Sequence, residues 1–208
     1  MPTKVSRAAT GLDRDEVVNA AMRIIEADGD AALTMRRLSE ELGTAVTAIY
    51  WHVGNRDALV DLLIERLMAE MGDVAATGSG PRKRITNLAH ELRRRLLARP
   101  HLIGLADQRG MTAAMFQPTQ AAVATELAKV GIKGAKAGRA IQILQCHVVA
   151  SVVLARAVGR SRTHEGTTAI VWKDGITDHK LVEALATEPD LDAAFSLGLE
   201  GLLDRLLP

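Results

Sequence analysis

The sequence predicts an all-α protein: an N-terminal helix-turn-helix three-helix head joined to a larger helical body. Three observations predict it. Nearly every periodic apolar segment repeats at the spacing of a helix rather than of a strand. Glycine or proline punctuates those segments, at Gly29, Gly43, Gly72, Pro81 and Pro100. The stretch Thr34–Arg56, TMRRLSEELGTAVTAIYWHVGNR, sets two short apolar turns around Gly43 and ends on Tyr50, Trp51 and His52.

The elements follow in order. Asp13 caps a first helix, with Glu16 three residues on as a capping-box partner. Val17, Ala20, Ala21, Ile24 and Ile25 form its apolar stripe, and Gly29 ends it. Thr34 caps a second helix that turns Leu38 and Leu42 inward, and Gly43 supplies the left-handed turn. The third helix, Ala45–His52, uses Ile49 inward. Asn55 caps a longer helix to about Met71, striped by Leu59, Leu62, Leu63 and Leu67. Ala75–Gly80 reads as a linker. Pro81 opens a helix to Ala98 that bears Arg82, Lys83, Arg84, Arg93, Arg94 and Arg95, with Arg99 just beyond. After a short segment at His101–Ala106, a helix is expected over Gln117–Val130 with Pro118 in its first turn. A long apolar helix follows at Ala135–Val158, then a polar loop, Gly159–Asp178, holding Trp172. The last helix starts near Asp190 and carries Leu191, Phe195, Leu199, Leu202, Leu203 and Leu206. The expected division is a helix-turn-helix head over 1–54 and a larger helical body over 55–208.

Composition bounds the class. The 208 residues are 48% hydrophobic and 25% charged, enough to bury a core. One cysteine, Cys146, excludes an internal disulfide framework. No unbroken apolar run reaches 18 residues, and the N-terminus lacks the apolar centre of a secretory signal, so the expectation is a cytoplasmic protein without a membrane partner. Net charge is +1, and the first 56 residues hold seven Lys/Arg against eight Asp/Glu. The head therefore permits phosphate contact without demanding it.

The chain has only five aromatic residues of the Phe, Trp and Tyr types, and two of them are neighbours at Tyr50 and Trp51. Successive helical residues point about 100° apart, so so short a helix cannot bury both rings beneath it. Ala45, Val46, Thr47 and Ala48 at the helix entry are small enough for a major groove, where methyl groups touch thymine and the Thr hydroxyl bonds a base edge. Tyr50, Trp51 and His52 reach phosphate and sugar, and Arg36 reaches a base or phosphate from the preceding helix.

The segment LDRDEVVNAAMRIIEADGDAALTMRRLSEELGTAVTAIYWHVGNRDALVDLL resembles the DNA-binding head of the TetR family of bacterial transcriptional repressors. Tyr50-Trp51-His52-Val53 with Asn55 and Arg56 is especially similar to the tetracycline-repressor branch, and Phe195–Glu200 resembles that branch's final helix. The resemblance implies a homodimer on a palindromic double-stranded operator, with a small-molecule effector bound in the body to release it. It implies DNA contacts at Arg36, Val46, Thr47, Ala48, Tyr50, Trp51, His52 and Arg56. Val46 and Thr47 stand where that branch has polar base-reading residues, which implies a different operator. Gly72, Leu88 and Ala106 or Asp107 stand where that branch holds its drug and magnesium, so tetracycline itself is not the expected ligand.

For the effector, Leu88, Leu92, Met111, Met115, Phe116, Ile141, Gln145, His147 and Trp172 are the candidate lining, suited to a small, largely apolar molecule with polar help from His90, Gln145 and His147. Ala135–Val158 and Asp190–Leu207 are the candidate dimer bundle, and the helix Asn55–Met71 the expected link from effector to head. No His pair has zinc-site spacing, Cys146 and His147 diverge on a helix, and no phosphate-binding glycine loop is present; neither enzyme, metal nor cofactor is expected. The arginines of Pro81–Arg99 are expected to pair with acids as a solvated face rather than form a second nucleic-acid surface. The rival reading is a helical ligand-binding protein or enzyme whose head has lost DNA binding.

Overall fold

The computed structural model describes residues 12–72, 74–161 and 178–208. Among them there is no strand. The helices are α1 (Arg14–Asp28), α2 (Met35–Leu42), α3 (Val46–Val53), α4 (Arg56–Gly72), α5 (Pro81–Ala98), α6 (Pro100–Gln108), α7 (Thr112–Lys129), α8 (Gly134–Ser161), α9 (His179–Ala186) and α10 (Leu191–Leu206), with a 3-10 turn at Asp30–Ala32. They form two compact units, one of residues 1–73 with 99–117, the other of residues 74–98 with 118–208.

The first unit is built as its local signals dictate. The Asp13 carboxylate accepts from the Glu16 amide at 2.7 Å, Thr34 Oγ1 from the Arg37 amide at 3.0 Å, and Asn55 Oδ1 from the Ala58 amide at 2.9 Å. Each cap satisfies an amide that the first turn of a helix leaves without a partner. Gly43 adopts φ 64°, ψ 32°, the left-handed geometry that lets α2 end and α3 start within a few residues. Val17, Ile24, Ile25, Leu33, Leu38, Ile49, Leu59, Leu63 and Leu67 are buried together as its core. The unit does not stop at residue 54: α4 packs on α1 and α3, and α6 returns from later in the chain to pack on α1 and α4.

In the second unit α8 packs against α5 and α10. Ala137, Ala140, Leu144, Val148 and Val152 are the buried stripe of α8, at the three- and four-residue spacing of one helix face. Phe195, Leu199 and Leu203 are the stripe of α10, and Asp190 caps that helix through the Asp192 and Ala193 amides. An added Cβ at Gly198 would sit 2.6 Å from His147 Cε1, so glycine is what lets α10 approach α8 there.

Two expectations change. The helix expected from Gln117 begins at Thr112, with Pro118 inside it. An internal proline costs roughly 3 kcal/mol, yet Met115 and Phe116 are buried in the turn before it and hold that turn helical. The segment at His101–Ala106 is a full helix, α6, anchored by buried Leu105 and Ala106. The long helix runs on through Ser161; the rest of the expected loop, with Trp172, lies outside the described residues, as do Lys4 and Arg7.

Candidate nucleic-acid interface

Helix α3 buries Ile49 and Val53, four residues apart, against α2, α1 and α4. The opposite side is set by the helical rotation: Thr47 and Trp51, also four apart, lie across the axis from Ile49. Trp51 is 88% exposed and Tyr50 47%. Both rings expected to compete for the core are therefore displayed. Ala45, Thr47 and His52 are exposed beside them, and Val46 and Ala48 are half-buried. Ala45 gives α3 no side-chain cap, which leaves first-turn amides open to an outside acceptor. An indole held in water has no stabilising role in the free fold, so its display points outward to a partner.

The charges around this face are already paired. Arg36 Nε donates to Glu40 at 3.0 Å, Arg23 pairs with Glu41 at 3.8 Å, and Arg37 with Asp28 at 3.8 Å. Arg36 is nevertheless a side chain 87% exposed, with its two terminal nitrogens free of Glu40. Arg56 is different. Its Nε donates to the Leu33 carbonyl at 3.0 Å and its Nη2 to the Asp30 carbonyl at 3.1 Å. These bonds tie the start of α4 to the connection between α1 and α2.

The candidate effector residues do not gather in one place within either unit. Met111, Met115 and Phe116 belong to the first unit, and Leu88, Leu92, Ile141, Gln145 and His147 to the second. Leu88 and Leu92 are buried on α5, Met115 and Phe116 on α7; Met111 and Ile141 are half-buried. Gln145 and His147, two residues apart on α8, face opposite ways. Gln145 accepts from Gln120 of α7 at 2.6 Å, whereas His147 Nε2 meets the Phe195 carbonyl at 3.0 Å. What α8 and α10 do bring together is a cluster around Phe195. The His147 ring stacks on it at 4.9 Å, the His90 ring meets it edge-on at 5.1 Å, and the Arg93 guanidinium lies 4.9 Å from its centroid. Beside it His147, Ala150, Leu154, Leu191 and Phe195 line an apolar cavity of about 240 Å³.

The arginines of α5 pair with acids as expected, but Arg93 does so from a buried position rather than from a solvated face. Arg82 meets Asp204 at 2.6 Å, Arg84 meets Glu126 at 3.4 Å, and buried Arg93 meets Asp192 at 2.6 Å. Arg94 and Arg95 share Glu91, whose carboxyl their hydrogen bonds hold down to about 2. Among the described residues no cluster of His, Cys, Asp or Glu could hold a metal ion.

A short helix packed by one edge, reached through a glycine turn, displaying Thr47, Tyr50, Trp51 and His52, defines a helix-turn-helix reading head. Known proteins place it further. Residues 17–63 match the model of the bacterial regulatory proteins of the tetR family. An HTH-type transcriptional regulator of Saccharopolyspora erythraea is 31% identical over 166 residues, 80% of this chain and 70% of that protein. The class D tetracycline repressor of Escherichia coli is 35% identical over 88 residues, 41% of this chain and 40% of the repressor. The Streptomyces coelicolor TetR family protein ActR, solved in complex with actinorhodin, superposes with a TM-score of 0.63 at 26% identity, covering 95% of this chain and 96% of that one. The chain belongs to the TetR family of DNA-binding transcriptional regulators.

Proposed function

We propose that the protein is a cytoplasmic homodimeric repressor, not an enzyme, that grips a palindromic operator through two α3 helices and lets go when a small, largely apolar molecule binds its body. The observation that carries the DNA reading is Trp51, 88% exposed on the same line of α3 as Thr47. In this reading Val46, Thr47 and Ala48 meet base edges and thymine methyls, and Tyr50, Trp51 and His52 brace sugar and phosphate. Arg36 reaches a base or phosphate with the nitrogens that Glu40 leaves free. Arg56 supports the head from behind.

The dimer is supported by what α8 and α10 leave uncovered. The most apolar window of α8 has mean hydropathy 1.7, yet only 17% of it is buried. Length and composition alone would suit a membrane span. The regular buried stripe facing α5 and α10 favours instead a packed helix with a second apolar side. Val153 (57% exposed), Leu154 (52%) and Leu197 (73%) lie on that side, and a second copy is the cover the reading assigns to it. Two heads would then meet successive major grooves about 34 Å apart. That a TetR family relative was solved in complex with actinorhodin supports a small-molecule effector here.

Selection of bound duplexes from a random pool tests the DNA reading, and an inverted repeat with half-sites one helical turn apart is expected. Light scattering of the eluting protein should give twice the chain mass. A monomer that selects no sequence would leave the rival reading, a ligand-binding helical protein with a silent head, in possession.

A further inference from the structure

Helix α6 is held to α4 at both of its ends by arginine. Arg99, which precedes α6, meets Glu70 near the end of α4 through Nε and Nη2 at 3.4 Å. Arg109, which follows α6, places Nη1 2.9 Å from Asp61 and Nη2 3.1 Å from Asp57, both in the opening turns of α4. Start therefore pairs with end, and the two helices run antiparallel, with Leu105 and Ala106 buried on α6 and Leu59, Leu63 and Leu67 on α4. Asp57 and Asp61 are one turn apart and share one guanidinium, a geometry that a planar fork with five donors satisfies and an amine does not.

The reading helix depends on this pair. Val53 ends α3 and Arg56 begins α4, with only Gly54 and Asn55 between them. Gly54 sits at φ 71° and Asn55 is committed as the cap of α4, so the junction has little slack. The direction of α3 is thus coupled, beside its packing on α1 and α2, to where the opening of α4 lies. The first two turns of α4 carry two carboxylates which, without Arg109, would face only each other and solvent.

We propose that Arg109, seconded by Arg99, is a positioning residue for operator binding: it locks the first turn of α4 at the angle that α3 needs, without touching DNA itself. The proposal rests on α3 being the reading helix. It extends that role to side chains outside the α3 face, and it opposes simple electrostatics. Removing the two acids makes the head more positive, which by charge alone strengthens DNA binding. Loss of the clasp weakens it.

The test uses the full chain and the duplex recovered by the random-pool selection. The Asp57→Asn, Asp61→Asn double variant and Arg109→Ala should each lower operator affinity by about two- to fivefold, the scale expected of exposed ion pairs. The selected base sequence should not change. Arg99→Gln, at the far end of the clasp, should do the same to a smaller degree, and serves if the double variant fails to fold by circular dichroism. A folded double variant that binds as tightly as the parent, or tighter, overturns the clasp. A parent that selects no duplex overturns the DNA reading itself, a distinct result.

Discussion

Replacing Arg56 separates two roles that predict different observables. Arg56→Ala removes two hydrogen bonds from a charged donor, to the Leu33 carbonyl at 3.0 Å and the Asp30 carbonyl at 3.1 Å. Such bonds run to about 1.5–3 kcal/mol when screened from water. Here one is half-buried and the other exposed, so water replaces much of the second, and a total of about 1–2 kcal/mol is reasonable. For a chain of this length each kcal/mol moves the unfolding midpoint by about 2–4 °C. A fall of roughly 2–8 °C is expected in calorimetry. Arg56→Lys should fall nearly as far, because one amine cannot span both carbonyls although it keeps the charge.

The DNA side of the same experiment is the control. A phosphate contact, once removed, makes log affinity less steep in log salt by about 0.9. A tie inside the head leaves that slope where it was, and weakens binding only as far as the head loosens. Fluorescence anisotropy across a salt series reads the slope. An Arg56→Ala protein with an unchanged melting point and a shallower slope would refute the structural role and return Arg56 to the phosphates.

Thr47→Ala should alter base preference at one operator position by roughly 1–3 kcal/mol, read by repeating the random-pool selection. Gly198→Ala should destabilise the second unit in thermal unfolding although alanine gains about 1 kcal/mol in helix propensity, because its Cβ displaces His147 from Phe195; in a His147→Ala background the same change should stabilise. Stability should also fall on acidification. His90 titrates below its usual 6.5 through desolvation and the nearby Arg93 and Lys83, so the folded state prefers it neutral, and stability present above pH 6.5 is lost as pH drops through that shifted value. Glu91, held at about 2 by hydrogen bonds from Arg94 and Arg95, contributes stability that is intact above about pH 4.5 and lost between there and about 2. A melting point flat from pH 7 to pH 5 would refute the His90 assignment, and one flat from pH 4.5 to pH 2 the Glu91 assignment.

What was legible in the sequence was local. Asp13, Thr34 and Asn55 cap the helices they precede because a cap needs only its own next three residues, and Gly43 takes the left-handed turn for the same reason. Ile49 pointing inward follows from one helical period, and with it the outward line of Thr47 and Trp51. The hydrogen bonds of Arg56 were not legible, because its partners lie 23 and 26 residues back, at carbonyls that no side-chain pattern marks. Arg109 was invisible for a like reason: its acids sit 52 and 48 residues away, across a helix pairing that nothing local announces. The start of α7 was hidden by Pro118, where burial of Met115 and Phe116 outweighs a local rule. Gln145 and His147 were both named as polar lining of one pocket; a rotation of about 200° between residues two apart turns them to different partners.

The neutrality of the head, which looked like the weakest point of the DNA reading, becomes a property of the mechanism once its pairs are known. Arg23, Arg36 and Arg37 each face an acid, and Arg56 is spent on carbonyls. Among the described residues of the head few cations are left to displace counterions, so on the proposed reading sequence-independent attraction to DNA is small and the salt dependence shallow. A slope of about −2 to −4 is expected rather than the −10 of a strongly basic repressor. Affinity must then come from what fits the groove, the methyls of Val46 and Thr47 and the faces of Tyr50 and Trp51, which count only at the right sequence and the right angle. A regulator that holds on by fit is released by a small change of angle, and an effector needs to favour the released state by only a modest margin. A slope steeper than about −6 would break this chain of reasoning at its first link, by showing that more phosphates are neutralised than the unpaired cations of the head can account for.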